Sequence, residues 1–206
     1  MSKQGFAARS AALTLLHGVL HDTKSLSDIV EGSGSPLADL EPGERARAQS
    51  LAGITLRNLG PLDQVLDRFL TKKPPLQVLN ILRLCAAELL VDGIAAHAAV
   101  DGAVTLARSK QKANHLSGLV NAVARKLAQV DRAEFAKLPP HPLAKYLRVP
   151  VERAYGEAAA VAIDAAHRAG APVDLTLKNP ADEEKWALAL DATILPNGSL
   201  RLAEKG

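Results

Sequence analysis

The chemistry that this sequence offers most plainly is a grip on an anion. The stretch TLARSKQKANHLSGLVNAVARK, residues 105–126, carries Arg108, Lys110, Lys112, Arg125 and Lys126 without one Asp or Glu. Lys72 and Lys73 stand immediately before Pro74-Pro75 and the start of an apolar helix. Two ammonium groups, unsatisfied backbone N–H donors and the positive end of a helix dipole meet there, which suits a phosphate. Arg45 and Arg47 fall in the first turns of another predicted helix, where the dipole alone disfavours cations, and Glu44 offsets this only in part. Arg125 and Lys126 lie near a helix end that welcomes positive charge, so they also have an ordinary structural role. Arg9 lies near the apolar face of the first helix; its stem can cover apolar neighbours while the guanidinium leaves by the end of the bundle. Because all these cations belong to helix ends and loops, they can converge on one basic surface while the leucines stay buried. Nucleic-acid binding is the reading this suggests, with a solvated surface or an acidic protein partner as the alternatives.

Other chemistry finds less support. The sequence holds no Walker loop, HExxH, CxxC pair, GxSxG elbow or strand-borne GxGxxG, so no catalytic and no cofactor-binding residue is assigned. Cys85 is the one cysteine, and its flanks ILRLCAAELL mark a small core residue rather than a nucleophile. His17 and His21 stand four apart on a helix, a spacing that could hold a metal, but the nearest carboxylate, Asp22, projects about 100° away around the helix. Packing or surface histidines are expected, and no metal. Asn197-Gly198-Ser199 reads as a hairpin turn.

The elements that must position the cations are mostly helical. A first helix runs from about Gln4 to His21, with Phe6, Leu13, Leu16 and Leu20 on one face. A short helix near Ser27 to Glu31 precedes the loop GSGSPLADLEPG. A helix from about Pro42 to Asn58 points Leu51, Ile54 and Thr55 inward and closes at Gly60; Pro61 begins the next, where Leu62, Val65, Leu66 and Phe69 repeat at three and four residues. In residues 74–91 apolar residues cover most of the circumference, leaving a polar strip of Gln77, Asn80, Arg83 and Glu88, and such a helix belongs in the middle of a bundle. Val100, Ala103, Val104 and Ala107 define a helix starting near His97, and a seventh spans 114–130 with Leu119, Val120, Val123 and Leu127 inward. After Val130 the texture changes. LPPHPL is a hinge-like run, helices follow over about 143–155 and 157–169, and VDLTLK, DEEKWALAL and TILPNGSLRL read as strand, helix and hairpin. The fold class is therefore mainly α, a helical bundle over residues 1–130 followed by linker helices and a small α/β appendage over 131–206.

Composition agrees. The 206 residues are 48% hydrophobic and only 3% aromatic, which supplies an aliphatic core best built from helices. Net charge is +3, but residues 1–130 hold 15 Lys/Arg against 11 Asp/Glu, whereas 131–206 hold 10 against 11, so the basic excess lies with the bundle. No apolar stretch of about 18 residues occurs, and a single cysteine fits a reducing compartment. A soluble, cytoplasmic protein is expected, with no membrane partner.

The stretches GPLDQVLDRFLTKKPPLQVLNILRLCAAELL, AAHAAVDGAVTLAR and GLVNAVARKL closely resemble the NusB-type helical domain at the head of the RsmB (Sun) methyltransferases, which methylate cytosine C5 in small-subunit ribosomal RNA. The resemblance runs from about Ala7 to Leu127 and continues more loosely through LPPHPLAKYLRVPVERAYGEAAAVAIDAAHRAGAPVDLTLKN and TILPNGSLRL, which look like that family's linker and small subdomain. Two departures stand out: IAAHAAV where the family often has VPAHAAV, and HPLAKY where a Trp often follows the His-Pro pair.

The resemblance implies an RNA-binding region that positions ribosomal RNA for a catalytic domain in cis, with S-adenosylmethionine as that domain's cofactor. The cofactor loop and the two catalytic cysteines are not in this sequence, so methylation is not expected of this polypeptide alone. A stand-alone NusB-like transcription antitermination factor, binding RNA with a ribosomal protein, is the second reading, and a domain for an acidic protein partner the third. The predicted RNA contacts are Arg9, Arg45, Arg47, Lys72, Lys73, Arg108, Lys110, Lys112, Arg125 and Lys126. No DNA partner is expected.

Overall fold

The structure, a computed structural model, describes residues 5–203; the predicted helix start at Gln4 lies outside them. Seven helices build the bundle: α1 (Phe6–Leu20), α2 (Leu26–Glu31), α3 (Pro42–Arg57), α4 (Leu59–Asp67), α5 (Leu76–Leu90), α6 (Ala96–Ser109) and α7 (Ser117–Leu127). Their starts follow local chemistry. The Ser25 hydroxyl accepts the Asp28 N–H at 3.1 Å to begin α2, and Pro42 occupies the opening turn of α3, where its missing N–H costs nothing. Every residue from Val78 to Leu90 is buried, and α5 packs against α1, α3, α4, α6 and α7, so the central place predicted for it holds. Each large aliphatic side chain buried there contributes about 1.5–3 kcal/mol of transfer free energy.

One detail differs from the sequence reading, and two add to it. Gly60 does not close α3; Asn58 caps it and Gly60 lies in the first turn of α4. A Cβ on Gly60 would come within 2.6 Å of the His141 ring, so a close approach of the later chain is what needs the glycine. Leu37, in the long loop, is 2% exposed and plugs the core. The polar strip of α5 is not solvated: Asn80, Arg83 and Glu88 are buried. Arg83 donates through Nε and Nη2 to both oxygens of Asp63 at 2.7 and 2.6 Å and through Nη1 to Asn80 at 2.8 Å, tying α5 to α4.

Cys85 is 1% exposed, and burial with the nearby Glu88 charge pushes its thiol up to about 12. At pH 8 about one native thiol in ten thousand is then ionised, and thiolate is the reactive form. A chromogenic disulfide reagent is therefore expected to leave the native chain untouched and to titrate one thiol at once in denaturant. Rapid labelling of native protein would contradict this placement.

Beyond α7 the chain forms α8 (Arg132–Ala136), α9 (Lys145–Tyr155) and α10 (Glu157–Ala169). α8 had no counterpart in the sequence reading. Asp131 caps it by accepting the Ala133 N–H at 2.8 Å, Phe135 is buried in the bundle core, and Arg132 reaches the carbonyls of Leu90 and Val91 at the end of α5. No residue of α9 is buried. The compact unit that contains the bundle extends to Asp164, and a second unit begins at Ala165.

The second unit holds β1 (Asp174–Leu175), α11 (Glu183–Leu190), β2 (Ala192–Ile194) and β3 (Leu200–Leu202), with the strands antiparallel in the order β1-β3-β2. Gly198, at φ 80°, supplies the left-handed residue of the predicted hairpin turn. Leu200 is fully buried and Arg201 forms a two-pronged pair with Asp174 at 2.8 Å. The α/β character expected here is what the structure shows.

Candidate nucleic-acid interface

The predicted cations fall into separate groups. Arg9 and Arg47 join a largely buried ion cluster on Glu88, whose side chain is 2% exposed. Arg9 Nε lies 3.0 Å from both Glu88 oxygens, and Arg47 Nη2 lies 3.2 Å from one. Arg47 also donates to Asp92. Burial opposes the Arg47 charge, but the bond to Asp92 and the charges of Asp92 and Glu88 outweigh it and raise the guanidinium's pKa. The expectation that Arg9 leaves by the bundle end is thus corrected: its guanidinium turns inward because Glu88, held in an apolar helix, needs a counter-charge. Gly102 makes the room, since a Cβ there would lie 2.8 Å from Arg9 Nε and Cζ.

A second group lines an open cleft of about 800 Å³ between α6 and α7. Arg108 reaches it from the last turn of α6 and Arg125 from the last turn of α7. Asn121, His97 and, at the start of α7, Ser117 and Gly118 line it too, and Asp101 is an acidic wall residue. No heavy atom outside the immediate chain stands within 4 Å of where a Gly118 Cβ would be, so there is open space beside it. Sequence alone did not single out Ser117, Gly118 and Asn121. Asn121 is one helical turn before Arg125, whose Nε lies 3.4 Å from its Oδ1, and that spacing was a signal in hand.

The remaining cations are placed elsewhere. Arg45 donates to the Ala38 and Leu40 carbonyls and fastens the loop before α3. Lys110 donates to Ser10 Oγ on α1 at 2.9 Å. Lys126 lies 6.0 Å over the ring of Phe69, on the segment that leads to the exposed Lys72 and Lys73. Lys112 is exposed in the connection after α6. Arg108 and Arg125 therefore share one cleft, and the other cations do not line it.

What the cleft can do follows from these donors. Two guanidiniums offer bidentate, planar recognition of phosphate oxygens. The cleft also reaches the first turn of α7, where the helix dipole favours an anion. Asn121 adds a polar group able to donate and accept.

The NusB family model matches residues 7–129. T. maritima NusB is similar in structure, with a TM-score of 0.53 at 22% identity, covering 67% of this chain and 100% of that one. No curated protein matches the sequence. No helix among the described residues is long and apolar enough to cross a membrane.

Proposed function

The chain belongs to the NusB family, and from that premise we propose that its bundle binds RNA through the α6–α7 cleft, in the manner of a ribosomal RNA-positioning domain of the RsmB type. The observation that carries the reading is that Arg108 and Arg125 line one cleft, which also takes in the first turn of α7. Phosphate contacts of this kind position an RNA rather than read its bases. Lys72, Lys73 and Lys112 are exposed and offer further phosphate contacts outside the cleft, while Arg9 and Arg47 serve it by fixing α1 and α3 on α5. In this reading the bundle over 1–130 holds the RNA, residues 131–206 are the linker and small subdomain, and S-adenosylmethionine belongs to a catalytic domain in cis. A cytoplasmic location goes with it.

A stand-alone antitermination factor has a specific observation in its favour, the match over the whole length of T. maritima NusB. The second unit, residues 165–206, favours the first reading. Both need RNA; only the antitermination reading also needs a ribosomal protein, so co-purification with the small-subunit ribosomal proteins separates them.

If about five phosphate contacts form with single-stranded RNA, log K falls against log salt with a slope of roughly −3.5. Replacing Arg108 and Arg125 together by Ala is expected to remove two contacts and to flatten the slope by about 1.4. Fluorescence anisotropy with a labelled RNA across a salt series reads both quantities. A slope unchanged by the double variant places the RNA elsewhere, and a flat wild-type profile removes RNA binding.

A further inference from the structure

We propose that the C-terminal end of α1 binds a late first-row divalent cation of the Zn²⁺ class through His17, His21 and Asp22. The three side chains each offer a ligand atom, and these atoms lie within 4.8 Å of one another. His17 and His21, one turn apart, stack their rings at 4.6 Å with an interplanar angle of 14°. Asp22 Oδ1 lies 2.8 Å from His21 Nδ1.

The position of Asp22 is the feature that a regular helix would not give. α1 ends at Leu20, and His21 is its cap. The chain then closes on itself: the N–H groups of His21 and Asp22 both reach the His17 carbonyl, at 2.8 and 3.4 Å, and the Lys24 N–H reaches that of Gly18 at 3.1 Å. Thr23 takes the left-handed conformation, φ 55°, to make this return, a conformation at helix ends usually given to glycine. The 100° separation that a continued helix imposes between His21 and Asp22 is thereby lost, and the carboxylate comes beside the imidazole.

The donor set selects the ion. Two imidazole nitrogens and one carboxylate suit Zn²⁺ and its neighbours rather than Mg²⁺, which prefers oxygen. The negative end of the α1 dipole favours a cation at this place. Donors about 2.0–2.1 Å from a tetrahedral zinc stand about 3.4 Å apart. His21 and Asp22 already lie within that span, and both are exposed enough to turn, at 60% and 43%. Three protein donors leave a fourth position for water or an outside ligand.

Calorimetric titration of the full chain with ZnCl₂, beside MgCl₂, tests the site. One equivalent of zinc and no magnesium uptake is the expected result. His21→Ala is expected to weaken zinc binding at least tenfold and Asp22→Asn to weaken it as well, while unchanged far-UV circular dichroism shows the fold intact. Co²⁺ gives an independent readout: intense visible bands of a tetrahedral ion in the wild type, lost in the His17→Ala/His21→Ala chain. Absence of stoichiometric zinc uptake overturns the proposal. So does uptake that the variants leave unchanged, which would move the metal to His97, His115, His141 or His167. RNA binding through the α6–α7 cleft stands or falls separately.

Discussion

Replacing Glu88 by Ala is expected to destabilise the bundle by about 3–5 kcal/mol, the usual cost of breaking a buried ion pair from one side. Glu88 is the common partner of two guanidiniums, 2.9 Å from Arg9 Nη2 and 3.2 Å from Arg47 Nη2. Removing it leaves Arg9, whose side chain is 15% exposed, as a charge facing Gly102 and the α5 wall. Arg47 fares better, because Asp92 still binds it. Urea unfolding followed by circular dichroism reads the loss as a fall in midpoint at unchanged slope. Since the penalty comes from the stranded cation rather than from the pair itself, Arg9→Met combined with Glu88→Leu is expected to recover most of it. A Glu88→Ala loss below about 1 kcal/mol would mean the cluster behaves as a solvated surface pair.

This cluster also shows where the sequence stops being legible. The helices α1 and α3 to α7 could be read because apolar residues three and four apart mark a face wherever the chain lies. The pairing of Arg9 with Glu88 spans 79 residues and that of Arg47 with Glu88 spans 41, and no local periodicity encodes such a distance. One signal was available. A carboxylate inside CAAELL, on a helix apolar nearly all round, requires a counter-charge once buried. Arg9, on the apolar face of α1, is the cation that such a rule selects.

The α6–α7 cleft was legible in half. Arg108 and Arg125 were singled out as basic, but their sharing of one groove depends on how α7 returns along α6, and the connection between them, a 3-10 turn at Asn114–Leu116 followed directly by α7, sets that return. Asp22 failed for the opposite reason: its position was derived from a helix that ends too early for the derivation to apply. α8 escaped notice because five residues are too few to show a repeat, although Asp131 before Arg132 is an ordinary helix-start signal.

The same division between local pattern and long-range contact governs α9, and Asp164→Ala is expected to release it. Pro150 sits inside α9 and removes one helical N–H donor, an intrinsic penalty of about 3 kcal/mol in a helix interior. With none of its residues buried, α9 needs an outside anchor. Asp164 supplies one, accepting the Leu143 N–H at 2.8 Å and Arg148 Nη1 at 2.5 Å while itself only 5% exposed. That bond and the one to Glu152 raise the Arg148 pKa, so the guanidinium stays charged. Loss of the acceptor leaves the Leu143 N–H without its partner, a cost of about 1–3 kcal/mol. The cost should fall on the opening of residues 143–155, because the Asp164 carboxylate holds Leu143 and Arg148. Hydrogen exchange is then expected to speed up through α9 by roughly 10- to 100-fold while the amides of α5 keep wild-type protection and the urea midpoint stays in place. Exchange accelerated equally in α5 would instead make Asp164 part of the bundle's own cooperative unit.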